Sequence, residues 1–327
     1  MRAAYYTRRG PAREVLTIGE LPNPEPGPGE VRVRLATSGV NPSDWKSRSG
    51  LTTSAPLPGP VIPHSDGAGV IDAVGPGVPA ARIGERVWIW NGQWQRPFGT
   101  AAQYIALPSA QAMPLPAHIG FAEAACLGIP ALTALQAVRL ARIDEQASVL
   151  IHGGAGAVAQ YAIQFARLRG ARVISTVSSD EKAERARAAG AHATVNYRTE
   201  SLADRVADFT SGRGVDAVID LNFSANAASL PGIVRSHGRV VVYGTNDAEA
   251  LIPALWLMRS SVSILPFLVY ELAAEDRRAV LSELGSALEV QSISHNVARV
   301  MPLEAIAEAH DLVQQGGVTG NVVLAID

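Results

Sequence analysis

In "VRVRLATSGV", residues Val31 to Val40, apolar and polar positions alternate with the two-residue period of a half-buried strand. "MRAAYY" reads as a strand too. Between the two lies "LPNPEPGPG", whose prolines and glycines sustain neither helix nor strand. "GAGVIDAVGPGV", "GERVWIW" and "TAAQYIALP" add strands joined by glycine turns. The texture then changes. "FAEAACLGIPALTALQAVRLARI" carries alanine, leucine and glutamate at helical spacing, with Pro130 predicted to kink or divide it. From Ser148 onward the short apolar runs "ASVLIHG", "ARVISTV", "HATVNY", "VDAVIDL", "GRVVVYG" and "SVSILPFLV" alternate with helical stretches such as "DEKAERARAAG" and "SLADRVADFT". That order predicts a parallel sheet covered by helices on both faces. The remainder gives helix, strand, helix and a last strand, "NVVLAID". The fold class is therefore α/β: a doubly wound parallel sheet joined to a β-rich domain.

The stretch "SVLIHGGAGAVAQYAIQFARLRGARVISTVSSDEK" combines a strand, a glycine turn, a helix and a second strand. In such a unit the early glycines let the backbone approach a pyrophosphate, and the helix N-terminus offers N–H donors and a positive dipole end. Gly153, Gly156, Ala157 and Val158 are the candidates. Ala159 stands where the last glycine of the spacing is usual, a change of one methyl at a helix-packing position. An NAD site places Asp or Glu about 20 residues on, against the ribose 2′-hydroxyl. Residues Arg172 to Ser179 contain no acid, and Lys182 opens the next helix where it could pair with a 2′-phosphate. Asp180 as a shifted ribose acid, and Lys182 as a solvated helix residue, are the competing readings.

Bulk properties narrow the class. The chain has 327 residues, enough for two domains of roughly 100–200 residues each. A formal charge of -2 gives no electrostatic reason to expect nucleic acid or an anionic membrane surface. No apolar run approaches the ~18 residues of a membrane span. The opening residues lack a signal-peptide core, and the single cysteine, Cys126, permits neither an intrachain disulfide nor a multi-cysteine zinc site. A cytoplasmic enzyme or binding protein is expected.

Taken in order, "SGVNPSDW", "SDGAGVIDAVGPGV", "GERVW", "AACLGIPALTAL", "LIHGGAGAVAQYAIQFAR", "GVDAVIDL", "HGRVVVYGT" and "PLEAIAEAHDLVQQGGVTGNVVL" resemble the quinone oxidoreductase (zeta-crystallin) group of the medium-chain dehydrogenase/reductase superfamily. The resemblance implies a split GroES-like catalytic domain, residues 1–122 and 268–327, around a Rossmann NADPH-binding domain, residues 123–267. It also implies a homodimer or homotetramer built partly through an edge strand. By the same resemblance Asn41 lies by the nicotinamide and substrate, and Thr133 near the nicotinamide. Ser178, Lys182 and Tyr197 match positions around the 2′-phosphate, Asn222 the nicotinamide ribose, Phe267 to Val269 the carboxamide, and Asn321 a C-terminal cofactor contact. Tyr243 and Gly244, ending "GRVVVYG", complete the cofactor candidates.

The departures are instructive. His64-Ser65-Asp66 replaces the Gly-Ser-Asp of many relatives, and Lys46 and Thr52 replace aromatic residues of the quinone pocket. Trp90, Trp94 and Phe98 could restore aromatic walls from another loop. Zinc-dependent relatives need Cys and His ligands, and Asn41 and Ser65 stand at those positions, so no metal is expected. His64 and His152 read as packing residues, Cys126 as core, and Asp66, Asp72 and Glu85 as structural acids. The expected activity is zinc-independent, NADPH-dependent hydride transfer to a quinone or related conjugated carbonyl. Asn41 would hold the acceptor oxygen, and Asp44 and Lys46 are weaker catalytic candidates. An alkenal or enone reductase is the alternative enzyme. A non-catalytic NADPH-binding redox sensor or structural protein is the alternative class.

Overall fold

A computed structural model describes residues 1–52 and 55–326. By compactness the chain divides into two units, Met1–Ile129 with His295–Asp327, and Pro130–Ser294.

The first unit is built on strand pairing. Its long strand Glu30–Val40 pairs antiparallel with Asp66–Val74, with Tyr104–Pro108 and with the C-terminal strand Asn321–Ala325. The sheet continues through Arg86–Ile89 to Ala112–Pro114 on one side and Val297–Pro302 on the other. The alternation in "VRVRL" is realised: Val31, Val33 and Leu35 are buried in one core with Ile71, Val87, Ile105, Leu107 and Leu324. Arg32, on the opposite face, pairs with Asp72 at 3.0 Å, which makes Asp72 structural as expected. Arg82–Glu85 at 2.6 Å does the same for Glu85.

In the second unit six parallel strands form one sheet. In chain order they are Ser148–Ile151, Arg172–Val177, Ala193–Asn196, Val215–Asp220, Val234–Val242 and Ser263–Pro266. Numbered one to six, they lie side by side as 3-2-1-4-5-6. This doubly wound order has its switch point between the first and fourth strands, where crevices at the carboxyl ends receive ligands. Pro130 acts as predicted. The helix Phe121–Ala124 gives way to a π-helical turn, Leu127–Ala131, before the helix Leu132–Leu140 resumes. A proline lacks the N–H that a continuous helix would need there.

The unit boundaries fall later in sequence than the expected 122 and 268. The helix Ala274–Glu289 accounts for most of the shift, because it packs on the helix Leu132–Leu140 of the sheet unit. Glu283 on it accepts from Arg169 at 2.6 Å and Arg139 at 3.5 Å, and Val280 and Leu284 are buried.

Candidate active site

In the second unit the glycine turn follows the first strand at the switch point. Gly153 has φ +72, and a Cβ there would lie 2.7 Å from Leu221 Cδ2. A Cβ on Gly154 would lie 2.3 Å from Ser175 Oγ. The bare backbone is thus imposed by its neighbours and leaves Gly156, Ala157 and Val158 at the start of the helix Ala157–Leu168. The Gly156 N–H is taken by the Gly153 carbonyl at 2.8 Å, and no side chain caps the first turn of the helix, whose N-terminus is the kind of end that receives an anionic pyrophosphate. Ala159 is buried, its methyl accommodated in the packing.

Along the same carboxyl edge lie most of the other candidates. Val177 pairs with Asn196, and the Tyr197 N–H donates to the Val177 carbonyl at 3.1 Å, so Ser178 and Tyr197 are level at adjacent strand ends. Ser179 caps the helix Asp180–Ala188 by accepting from the Lys182 N–H at 3.4 Å, which sets Lys182 in the first turn. Asn222 joins two loops: its Oδ1 accepts from the Asn246 N–H at 3.0 Å and from Ser224 Oγ at 3.1 Å. Tyr243 and Gly244 directly follow the fifth strand, and the Tyr243 N–H donates to the Asp220 carbonyl. Phe267 follows the edge strand with its N–H on Val242, and Val269 is buried. Thr133 is buried in the helix Leu132–Leu140, away from the loops of this edge in sequence.

Two groups gain weight here. His152, read from sequence as packing, is buried with Nδ1 3.2 Å from Thr176 Oγ1, and burial lowers its pKa while Asp220 opposes that shift. Asp220, at the end of the fourth strand, uses Oδ1 for the Asn222 N–H and Asn226 Nδ2, both at 2.8 Å, and leaves buried Oδ2 without a hydrogen-bond partner. Arg198, next to Tyr197, is exposed on the same edge.

In the first unit Asn41 stands at the N-terminus of the helix Pro42–Ser49. Its backbone N–H donates to Asp44 Oδ2 at 2.7 Å, and its Nδ2 donates to Asp66 Oδ2 at 2.7 Å. All three side chains are buried. One amide hydrogen is thereby committed and the other remains a donor. Asp44 closes the turn that presents Asn41 as the third helical residue of a capping box, a role separate from its reading as a weaker catalytic candidate. Asp66 differs from its expected structural role in one respect: it holds the Asn41 side chain directly. Lys46 is half-buried, with Nζ 5.7 Å from the Trp45 ring centroid, and burial lowers its pKa. One step beyond the Val322–Val40 pair, Asn321 is level with Asn41, and its Nδ2 donates to the Asn296 carbonyl at 2.9 Å.

Burial raises the Asp44 carboxyl to about 7, against the Asn41 N–H, which lowers it. Burial also raises Asp66 well above the usual carboxylate range, with the Asp44 charge adding to it, and Asn41 and the Ile129 N–H opposing. A folded-state pKa above the unfolded value means that the neutral acid stabilises the fold at low pH. For Asp44 that contribution is complete below about 3.9 and is lost as the pH rises to about 7. Asp44→Asn retains an acceptor for Asn41 and has no charge to bury. Its stability relative to the parent should therefore rise with pH between about 4 and 7, by up to roughly 1.4 kcal/mol per pH unit. Urea unfolding of both proteins across that range checks this, and parallel curves would remove Asp44 as the titrating group. Taking the difference cancels the buried histidines, which act with opposite sign.

His64 occupies a left-handed conformation, φ +78, at the position where the family resemblance led to glycine being expected. Such backbone costs on the order of 1–3 kcal/mol and persists where the surroundings hold it. Here both ring nitrogens are engaged, Nδ1 with Ser38 Oγ at 2.8 Å and Nε2 with His310 Nε2 at 2.9 Å. Burial lowers its pKa to about 3.

At the positions where zinc-dependent relatives are expected to hold their ligands, this chain has an amide and a hydroxyl. Asn41 offers an amide already bonded to Asp66, and Ser65 Oγ accepts from the Gln93 N–H at 3.3 Å. His64 has neither nitrogen free. These donors do not fit a tetrahedral zinc centre, and among the described residues no cluster of three or more His, Cys, Asp or Glu is placed to hold a metal. Of the proposed aromatic walls, Phe98 packs against the sheet core instead. Trp90 and Trp94 are half-buried, with Trp90 Nε1 donating to Ala110 at 3.2 Å. Cys126 is buried, as expected.

Comparison with known proteins gives two family matches: "Alcohol dehydrogenase GroES-like domain" over residues 27–117 and "Zinc-binding dehydrogenase" over residues 157–286. A quinone oxidoreductase of Pseudomonas aeruginosa is 31% identical, covering 95% of this chain and 95% of its own length. A structure described as an NAD-dependent alcohol dehydrogenase superposes with a TM-score of 0.90 at 35% identity, covering 100% of both chains. A mycobacterial structure complexed with NADPH gives 0.88 at 29% identity, again over 100% of both chains.

Proposed function

Because the chain belongs to the quinone oxidoreductase group of the medium-chain dehydrogenase/reductase superfamily, we propose that it is an NADPH-dependent reductase of quinones and related conjugated carbonyls. The unit of residues 130–294 serves as the cofactor domain, and the unit containing Asn41 as the substrate domain. The observation that carries this reading is the buried Asn41 side chain, whose amide is held by the Asp66 carboxyl and retains one N–H, while Asp44 holds the backbone N–H of the same residue. When bound, the nicotinamide supplies the hydride. The protein's part is to place donors. Asn41 donates to the acceptor oxygen that gains negative charge, and Asp66 keeps the amide from turning. A quinone ring delocalises that charge, so hydrogen bonds suffice. A simple alkoxide needs the Lewis acid that zinc supplies in zinc-dependent relatives.

The residues of the carboxyl edge fit a dinucleotide by an independent test: glycines whose Cβ positions are filled, a helix start without a side-chain cap, and Asp220 Oδ2 buried without a partner. Ser178, Lys182 and Tyr197 would hold the adenosine phosphate end. Gly153, Gly156, Ala157 and Val158 would hold the pyrophosphate, and Asn222, Tyr243, Gly244, Phe267 and Val269 the nicotinamide end. Thr133 and Asn321 would complete the contacts.

The deciding experiment is an acceptor panel. With 1,4-benzoquinone and NADPH we expect steady coenzyme oxidation that persists in a chelator, with less than stoichiometric zinc by elemental analysis. With ethanol and NAD, the pairing suggested by the 35%-identical structure's description, we expect negligible turnover. Chelator-sensitive alcohol oxidation would overturn the reading.

A homodimer or homotetramer is part of the same proposal. The strand Ser263–Pro266 is the open edge of the parallel sheet, and nearby Leu251, Leu255 and Met258 are 81%, 60% and 76% exposed. An unpaired strand edge beside apolar side chains favours pairing with a second copy. Light scattering at low protein concentration tests it. No helix among the described residues is long and apolar enough to cross a membrane.

A further inference from the structure

We propose that His64 and His310 are positioning residues for Asn41, acting through a one-way chain of hydrogen bonds that runs from Arg48 to Asp66. What Asn41 does rests on the reductase reading; the chain itself is read from geometry. Its direction follows from donor chemistry. The Arg48 guanidinium can only donate, and Arg48 Nε lies 3.3 Å from His310 Nδ1, so that nitrogen accepts and carries no hydrogen. The neutral His310 ring then has its hydrogen on Nε2 and donates it to His64 Nε2 at 2.9 Å. His64 in turn must carry its hydrogen on Nδ1, which donates to Ser38 Oγ at 2.8 Å. Ser38 donates to Thr100 Oγ1 at 2.8 Å, and Thr100 donates to the Asp66 backbone carbonyl. Asp66 Oδ2 accepts from Asn41.

Both ends of the chain are fixed. Arg48 is buried, donates to the Gly10 carbonyl and reaches Gln314 Oε1 at 3.2 Å. At the other end a peptide carbonyl takes the last hydrogen. A guanidinium does not give up its proton and a carbonyl does not take one, so the chain conducts no proton. It fixes orientation. Burial keeps both imidazoles neutral, the state in which each nitrogen has a single role. The His64 backbone supports the same conclusion, because a residue at φ +78 would be better replaced by glycine if only the turn mattered.

Three variants of the full chain test this. In His64→Gly the backbone is relieved and the imidazole removed. We expect kcat with benzoquinone to fall between about 10- and 100-fold, the scale of a reacting group misplaced by about an ångström, with NADPH affinity unchanged. In His310→Gln, which offers both an acceptor for Arg48 and a donor for His64, we expect kcat to recover to near the parent's. In the Asn41→Ala background, adding His64→Gly should lower kcat no further, since the two act as one unit. Unchanged kcat in His64→Gly, or a full additional loss in the double variant, would overturn the proposal. Nitrogen-15 imidazole spectra, assigned to the two residues by single substitution, give a readout independent of activity: His64 protonated at Nδ1 and His310 at Nε2. An Nε2–H tautomer at both His64 and His310 would refute the chain even in an active enzyme. If the parent turns over no quinone, the reductase reading fails instead, and the spectra still decide the chain.

Discussion

Asn41→Ala should lower kcat for quinone reduction by about 10²- to 10³-fold, the loss typical when one donor to a developing oxyanion is removed. NADPH affinity should be unchanged, because the interaction is formed toward the acceptor and grows with its charge. The variant should fold. The backbone N–H of residue 41 still donates to Asp44. The group left without its partner is the Asp66 carboxyl, whose pKa burial raises, favouring its neutral form over a bare charge. That costs about 1–3 kcal/mol rather than the penalty of a bare buried charge. A thermal melt establishes folding, and single-turnover oxidation of bound NADPH measures the chemical step. An unchanged single-turnover rate would take Asn41 out of the mechanism, and a raised NADPH dissociation constant would move it to the cofactor contacts.

Much of this architecture was legible in the residues because its cause is local. Alternation in "VRVRL" and the short apolar runs after Ser148 specify strands whatever their partners. Pro130 divides its helix because it lacks an N–H, and the glycine turn is dictated by Gly153 and Gly154. The site was less legible where its meaning depends on long-range contact. Asp66 carries no sign in "HSDGAG" that its carboxylate will meet Asn41 from 25 residues earlier. His310 lies 246 residues from His64, and nothing in "EAHDLV" marks it as a ring partner. The one usable signal was the departure at His64, a bulky residue at a glycine position, which calls for a partner strong enough to hold it. The placement of the helix Ala274–Glu289 with the parallel-sheet unit depends on long-range contact in the same way. The helix Ala274–Glu289 declares its allegiance through Glu283, and both of that residue's arginines are distant in sequence.

NADPH should bind more tightly than NADH by roughly 1–3 kcal/mol, the worth of one or two charge-assisted hydrogen bonds to the 2′-phosphate. Ser178 and Tyr197 are level at adjacent strand ends, and Lys182 rises in the first turn of the next helix. No carboxylate lies between Arg172 and Ser179 to repel a phosphate or to hold a ribose hydroxyl. Lys182 is half-buried, which weakens solvent screening of its charge, whereas Tyr197 is 56% exposed and contributes a hydroxyl rather than an apolar contact. Lys182→Ala should therefore raise the NADPH dissociation constant about tenfold, near 1.4 kcal/mol, and leave NADH unaffected. The preference should also shrink as salt is raised, since the pairing is electrostatic. Ser178→Asp should reverse the choice, because a carboxylate at that strand end repels the 2′-phosphate and accepts from a 2′-hydroxyl. Fluorescence titration of both coenzymes against the three proteins measures each effect. Equal losses for NADPH and NADH in Lys182→Ala would make Lys182 a surface helix residue, and would transfer the ribose contact to Asp180, exposed at the start of the same helix.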